Sequence, residues 1–167
     1  MRTSPADVQE LRDTVMAFIA AMNAHDVDRA LEFFTEDARW IQPSAIAEGR
    51  QAIRDLLESM WESTDDMHLP LDDVEFLVGA DGDNAATLWR ATMTMTGSFQ
   101  GFAPTGRRAE HKGMCHYRMK NGKIAEHTLI YDEMALARQF GLVPATESRS
   151  YRMMTAVQRL GRRLSRS

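Results

Sequence analysis

The change of hydrophobic period near Thr64 constrains this chain most. Before it, apolar residues recur at helical spacing. After it they alternate at two, in runs separated by turn residues. From Ala86 to Phe99 the alternation is strong: Trp89, Ala91, Met93 and Met95 fall on one face, and Arg90, Thr92, Thr94 and Thr96 on the other. Asn121-Gly122 then joins two further runs, Gly106 to Lys120 and Lys123 to Tyr131. Both turn residues tolerate positive φ, which a tight hairpin requires. Val74 to Val78 adds a shorter strand, followed by the turn Asp81-Gly82-Asp83-Asn84.

Helices lie ahead of these strands. Ser4-Pro5-Ala6-Asp7 starts one, with Leu11, Val15, Phe18, Ile19 and Met22 on its apolar side. A short second helix runs from Val27 to Phe34. Arg39-Trp40-Ile41 is a brief strand ending before Pro43. A third helix, Arg50 to Trp61, buries Ile53, Leu56, Leu57, Met60 and Trp61. Helices first and a meander later predict an α+β fold, with a curved antiparallel sheet wrapped around the N-terminal helices and a ligand pocket inside. At 167 residues the chain has the size of one core-bearing domain. Residues 1–145 are read as that domain and 146–167 as a basic amphipathic helix or tail.

Composition excludes several classes. One cysteine, Cys115, leaves no internal disulfide and no multi-cysteine zinc site. The first 147 residues carry a formal charge of −10, with 14 basic and 24 acidic side chains, which suits no nucleic acid partner. No apolar run is long enough to span a membrane, and the first residues lack a signal-peptide pattern, so cytoplasmic residence is expected. Beyond Glu147 the tail holds six arginines and no acid. Met153, Val157, Leu160 and Leu164 form its apolar stripe, for docking on the acidic body or a partner subunit, for lying on an anionic membrane surface, or simply as a frayed end.

Asp132 stands out chemically. It ends the last strand and precedes a helix from Glu133, so it serves as an N-cap. Thr128, Ile130 and Asp132 share one strand face; His127, Leu129 and Tyr131 share the other. If the first set points inward, Asp132 sits at a dry wall, with a raised pKa suited to taking a proton from carbon. His116 and His127 lie about five residues on either side of the hairpin turn; a strand histidine commonly just makes a hydrogen bond, and as a functional residue His116 would polarise a carbonyl or share a proton with a carboxylate. The five-residue spacings His111/His116 and His127/Asp132 put each pair on opposite faces, so no metal site is read. Trp40, Trp61, Trp89, Met93 and Met95 suit a core or the wall of a polycyclic-ligand pocket. The Gly97–Gly106 loop is read as a flexible mouth.

Several strings together resemble the SnoaL-like polyketide cyclase (ester cyclase) family, of the nuclear transport factor 2-like, or ketosteroid isomerase-like, fold group. They are Pro104-Thr105-Gly106, Asn121-Gly122-Lys123-Ile124, Glu126-His127 with Asp132, and Gln139-Phe140-Gly141. Earlier come Ala30-Leu31-Glu32-Phe33-Phe34 with Asp37, then Trp40, then Gly49-Arg50-Gln51-Ala52-Ile53. The resemblance spans about residues 10 to 145. It implies a cone-shaped α+β barrel, free of cofactor and metal, forming a homodimer or higher homo-oligomer. It also implies a last-strand aspartate as general acid/base in an intramolecular aldol cyclisation, here Asp132. His116 and His127 are both candidates for the supporting histidine. Where the family often has Trp after the Glu-His pair, this chain has Thr128, which widens the pocket or admits water.

The expected function is therefore a small cyclase-like enzyme that cyclises or isomerises a hydrophobic carbonyl or ester substrate, polyketide- or steroid-like, through Asp132 and His116. Trp40, Trp61, Trp89, Met93, Met95, His127 and Thr128 are expected to bind that substrate. A non-catalytic small-molecule-binding or dimerisation module is the alternative; an epoxide or ester hydrolase ranks behind it.

Overall fold

A computed structural model describes residues 5–164, with side chains from 7 to 159. The proposed Ser4 cap and the side chains of Leu160 and Leu164 lie outside the described residues.

The elements run α1 (Pro5–Asn23), α2 (Val27–Glu32), β1 (Phe34–Gln42), β2 (Ala45–Glu48), α3 (Gly49–Ser63), a 3-10 turn (Leu71–Asp73), β3 (Glu75–Val78), β4 (Asn84–Thr94), β5 (Arg108–Lys120), β6 (Lys123–Tyr131), α4 (Glu133–Gln139) and α5 (Arg149–Leu164). All six strands form one curved, open sheet in the order β2-β1-β6-β5-β4-β3. The α+β class stands, with one correction to the strand directions. β1 pairs with β6 in parallel, so the sheet is mixed rather than wholly antiparallel. The long crossover through α3, β3, β4 and β5 brings β6 back beside β1, running the same way.

β2 has no counterpart in the sequence reading. Its inward residue is Ala47 and its outward Ile46 is 61% exposed, so its pattern lacks the usual apolar alternation. α2 also ends earlier than expected: Phe34 is the first residue of β1 and is fully buried. Asp26 caps α2 by accepting the Arg29 amide at 3.0 Å.

The concave sheet face and α1 share the core. Val15 and Phe18 of α1, Phe34, Tyr117 and Ile124 of the sheet, Ile53 and Leu57 of α3, and Phe140 are all almost wholly buried. Burying each large side chain contributes about 2 kcal/mol before entropy is counted. Phe18 meets Phe34 edge to face, with centroids 5.3 Å apart, which ties α1 to β1. Asn23 does similar work on the 64–71 connection: its amide donates to Leu69 O at 2.7 Å and accepts the Leu69 amide at 2.9 Å. α5 carries Met153 and Val157 at 68% and 65% exposed, so its described apolar stripe faces solvent.

Asn121 and Gly122 have φ of +53° and +73°, the type I′ geometry of a two-residue hairpin. Just beyond it the register slips. Met119 faces Ile124, but Arg118 faces Glu126, which leaves Ala125 as an extra residue in β6. That bulge governs which side chains reach the interior.

Candidate functional site

The concave face of β4, β5 and β6, with Trp40 of β1, closes over α1 and α3 around a cavity of about 220 Å³. β4 contributes Trp89, Ala91 and Met93; β5 contributes His111, Cys115 and Tyr117; β6 contributes His127, Leu129 and Tyr131. Phe18, Ile19 and Met22 of α1 and Leu56 and Met60 of α3 form the opposite wall. Ser44, Ser59, Ser98 and Gln100 also line the cavity and are exposed, so they mark its mouth. The loop from 97 to 106 therefore borders the mouth. Its base is pinned to the end of α3: the Thr96 and Gly97 amides both donate to Ser63 O at 3.1 Å, and the Ser63 hydroxyl donates to Ser98 O at 2.6 Å.

Local chemistry sets the walls. Gly113 leaves room for the Trp89 indole; a Cβ there would lie 2.5 Å from Trp89 Cζ2. Trp89 Nε1 donates to Cys115 Sγ at 3.1 Å, and burial pushes the Cys115 thiol up to about 11. The Tyr117 hydroxyl is 3.2 Å from the Thr87 hydroxyl, and burial, with Cys115 alongside, raises its pKa well above the usual value.

No Asp, Glu, Lys or Arg lines the cavity among the described residues. Its titratable interior consists of two histidines, two tyrosines and the thiol. His127 is 2% exposed, packed against Trp40 at 4.0 Å, Tyr117 at 5.1 Å and Phe18 at 5.8 Å between ring centroids. Burial, then the nearby charge of His116, lowers its pKa to about 3. His111 meets Trp89 at 5.2 Å and Tyr131 at 5.6 Å, and burial lowers its pKa to about 4. Both rings are thus neutral at pH 7. Nδ1 of each is buried without a hydrogen-bond partner among the described residues. Burial, then the charge of Glu133, pushes the Tyr131 hydroxyl up to about 12.

The expected site residues divide accordingly. Trp40, Trp89, Met93 and His127 line the cavity. Trp61 and Met95 are buried outside its lining; Trp61 stacks on His25 at 5.0 Å, and Met95 Sδ accepts from the Thr105 hydroxyl at 3.6 Å. Thr128, His116 and Asp132 are corrections. The bulge at Ala125 reverses the alternation: Ile124 is buried, and after the extra residue His127, Leu129 and Tyr131 point inward instead of Thr128, Ile130 and Asp132. His116 pairs with Thr128 on the outer face, one position away from the expected match with His127. Asp132 is exposed, and its carboxylate accepts the Ala135 amide at 2.8 Å as the N-cap of α4. Asp132 is therefore not among the residues that line the cavity.

His111, Tyr117 and Tyr131 were not among the expected site residues. The signal for the first two was in β5 itself. Arg108, Glu110, Lys112 and Arg118 mark its wet side, which leaves Ala109, His111, Gly113, Cys115 and Tyr117 on the dry side. Among the described residues no three His, Cys, Asp or Glu side chains gather to hold a metal. No described helix is long and apolar enough to cross a membrane.

This architecture recurs in solved structures. A candidate polyketide cyclase from Xanthomonas campestris pv. campestris superposes with a TM-score of 0.74 at 20% identity, covering 80% of this chain and 98% of that one. A candidate SnoaL-like polyketide cyclase from Jannaschia sp. CCS1 gives 0.73 at 21% identity, covering 86% and 99%. AclR from Streptomyces galilaeus, a candidate hydroxylase, gives 0.70 at 22% identity, covering 82% and 99%. At these identities the likeness concerns the fold alone. No curated protein matches in sequence. The SnoaL-like domain profile matches residues 15–127, more than half of the chain, and the chain belongs to that family.

Proposed function

We propose that this SnoaL-like protein binds a largely apolar, uncharged small molecule in the cavity between its sheet and α1 and α3. One observation carries the reading: among the described residues no charged side chain reaches a lining built mainly from aromatic, methionine and aliphatic groups. A charged ligand would lose its hydration there with no counter-charge to replace it. Trp40 and Trp89 offer flat apolar faces, and Met22, Met60, Met67 and Met93 adapt to an irregular outline.

Nile red, a neutral dye, tests this directly. Its fluorescence should rise on binding the intact protein, and Leu129→Trp, which fills the middle of the inner face of β6, should abolish the rise. Equal fluorescence in the two proteins would overturn the reading.

The family supports a second reading, in which a bound carbonyl compound is cyclised or isomerised. In that case His127 or His111 carries the proton, since a neutral imidazole both donates and accepts. Self-association is a separate proposal. Leu88, Met114 and Ile130 form a cross-strand row on the outer face, and Leu88 and Ile130 are 40% and 51% exposed. Sedimentation equilibrium of the wild type against Ile130→Lys tests whether that row holds a second copy.

A further inference from the structure

We infer that the cavity takes an elongated ligand with a hydrogen-bonding oxygen at each end, one met by His127 and the other by His111 with Tyr131. The inference rests on the proposed binding of an apolar, uncharged molecule and adds where its polar atoms must lie.

The starting point is a pair of unmet demands. A neutral imidazole has one N–H to donate and one lone pair to fill. Among the described residues neither ring pairs with a protein group: Nδ1 of each is sealed and unpaired, which leaves Nε2 as the nitrogen open to an occupant of the cavity. Buried polar groups are nearly always paired, because an unpaired one forfeits its hydration. Cys115 and Tyr117 in the same cavity obey that rule through Trp89 and Thr87. The histidines do not; Tyr131 lines the cavity beside the His111 ring, with centroids 5.6 Å apart. Nε2 of each ring can take its partner only from what fills the cavity.

The sheet register separates the two demands. His127 sits opposite Tyr117, and Tyr131 sits opposite Gly113, two residues short of His111. His111 and Tyr117 are six residues apart on the inner face of β5, roughly 20 Å along the strand; the concave curvature draws the rings somewhat closer. A single functional group cannot satisfy both. The lining between them is apolar, with Leu129, Met93 and Trp89. The geometry therefore fits a molecule that is greasy in its middle and oxygenated at both ends, as hydroxyl or carbonyl.

An alkanol ruler tests this by Nile red competition: 1-dodecanol against dodecane-1,12-diol, on the wild type, His111→Phe and His127→Phe. In the wild type the diol should bind at least as tightly as the monoalcohol, although its extra hydroxyl favours water. In either Phe variant the diol should fall about tenfold behind, since one hydroxyl then lies buried and unpaired. Ring nitrogen NMR shifts of both histidines should move on adding diol to the wild type. A diol equally disfavoured in all three proteins would overturn the inference while leaving apolar binding intact. Folded protein that binds neither alcohol nor Nile red would remove the apolar reading, and this inference with it.

Discussion

Acid should weaken this fold as soon as pH falls below about 6.5, and the two cavity histidines are the reason. Their folded pKa values, about 3 for His127 and about 4 for His111, lie below the ordinary value of 6.5. The unfolded chain therefore binds more protons than the folded one between those limits. Stability is complete above pH 6.5 and drains away as pH falls toward 4 and then 3. Each unit of pH in that window removes about 1.4 kcal/mol per ring. From neutral pH to about 4.5 the sum is roughly 3–5 kcal/mol, allowing for some water around half-buried His111. That is a large share of the 5–15 kcal/mol typical of a domain. Asp37 and Asp66 have lowered pKa values, Asp37 chiefly through Thr35 and Asp66 through its bonds to Thr94, which outweigh its desolvation, so they stay ionised across the window. Urea unfolding followed by circular dichroism at pH 7 and at about 4.5 measures the loss. The double variant His111→Phe/His127→Phe should lose less than about 1 kcal/mol more than its other ionisable groups dictate. At pH 7 it should be no less stable than the wild type, since two unpaired rings are gone. A double variant that weakens in acid as much as the wild type would show that these rings are hydrated or paired, and the reasoning would fail.

Other expected outcomes follow from single positions. Asp132→Ala should cost about 1 kcal/mol by removing the α4 cap, and Asp132→Asn much less; Nile red affinity should be unchanged in both, as titration of the dye will check. Gly113→Ala should destabilise by about 1–3 kcal/mol in a thermal melt, because the new methyl meets both Trp89 and the Ile130 carbonyl. Gly122→Ala should cost about 1 kcal/mol, since φ there is +73°, and urea midpoints will register it.

Much of the architecture was legible because periodicity reports on burial. The β6 limits, the Asn121-Gly122 hairpin and the inward set Trp89, Ala91, Met93 and Met95 all follow from alternation and turn chemistry. The site was legible only in part, for a physical reason. Alternation identifies two faces but does not say which is wet, and one extra residue exchanges them. Ile124 is buried, and counting by twos from it leads to Asp132; the bulge at Ala125 leads instead to Tyr131. A bulge leaves almost no trace in a single sequence, because its signature is in the pairing. β5 offered firmer guidance, since its charges mark the wet side. The parallel pairing of β1 with β6 was also illegible, because no local pattern encodes a partner so distant in sequence.

That distant pairing has a consequence during synthesis. Arg39 and Glu126 bond across β1 and β6 at a separation of 87 positions. A ribosome adding about 5–20 residues each second takes roughly 4–17 s to cover that interval. Through those seconds the nascent N-terminal half presents Phe18, Phe34 and Trp40 with no sheet to receive them. Chaperone engagement should therefore peak before β6 leaves the exit tunnel and collapse once it has.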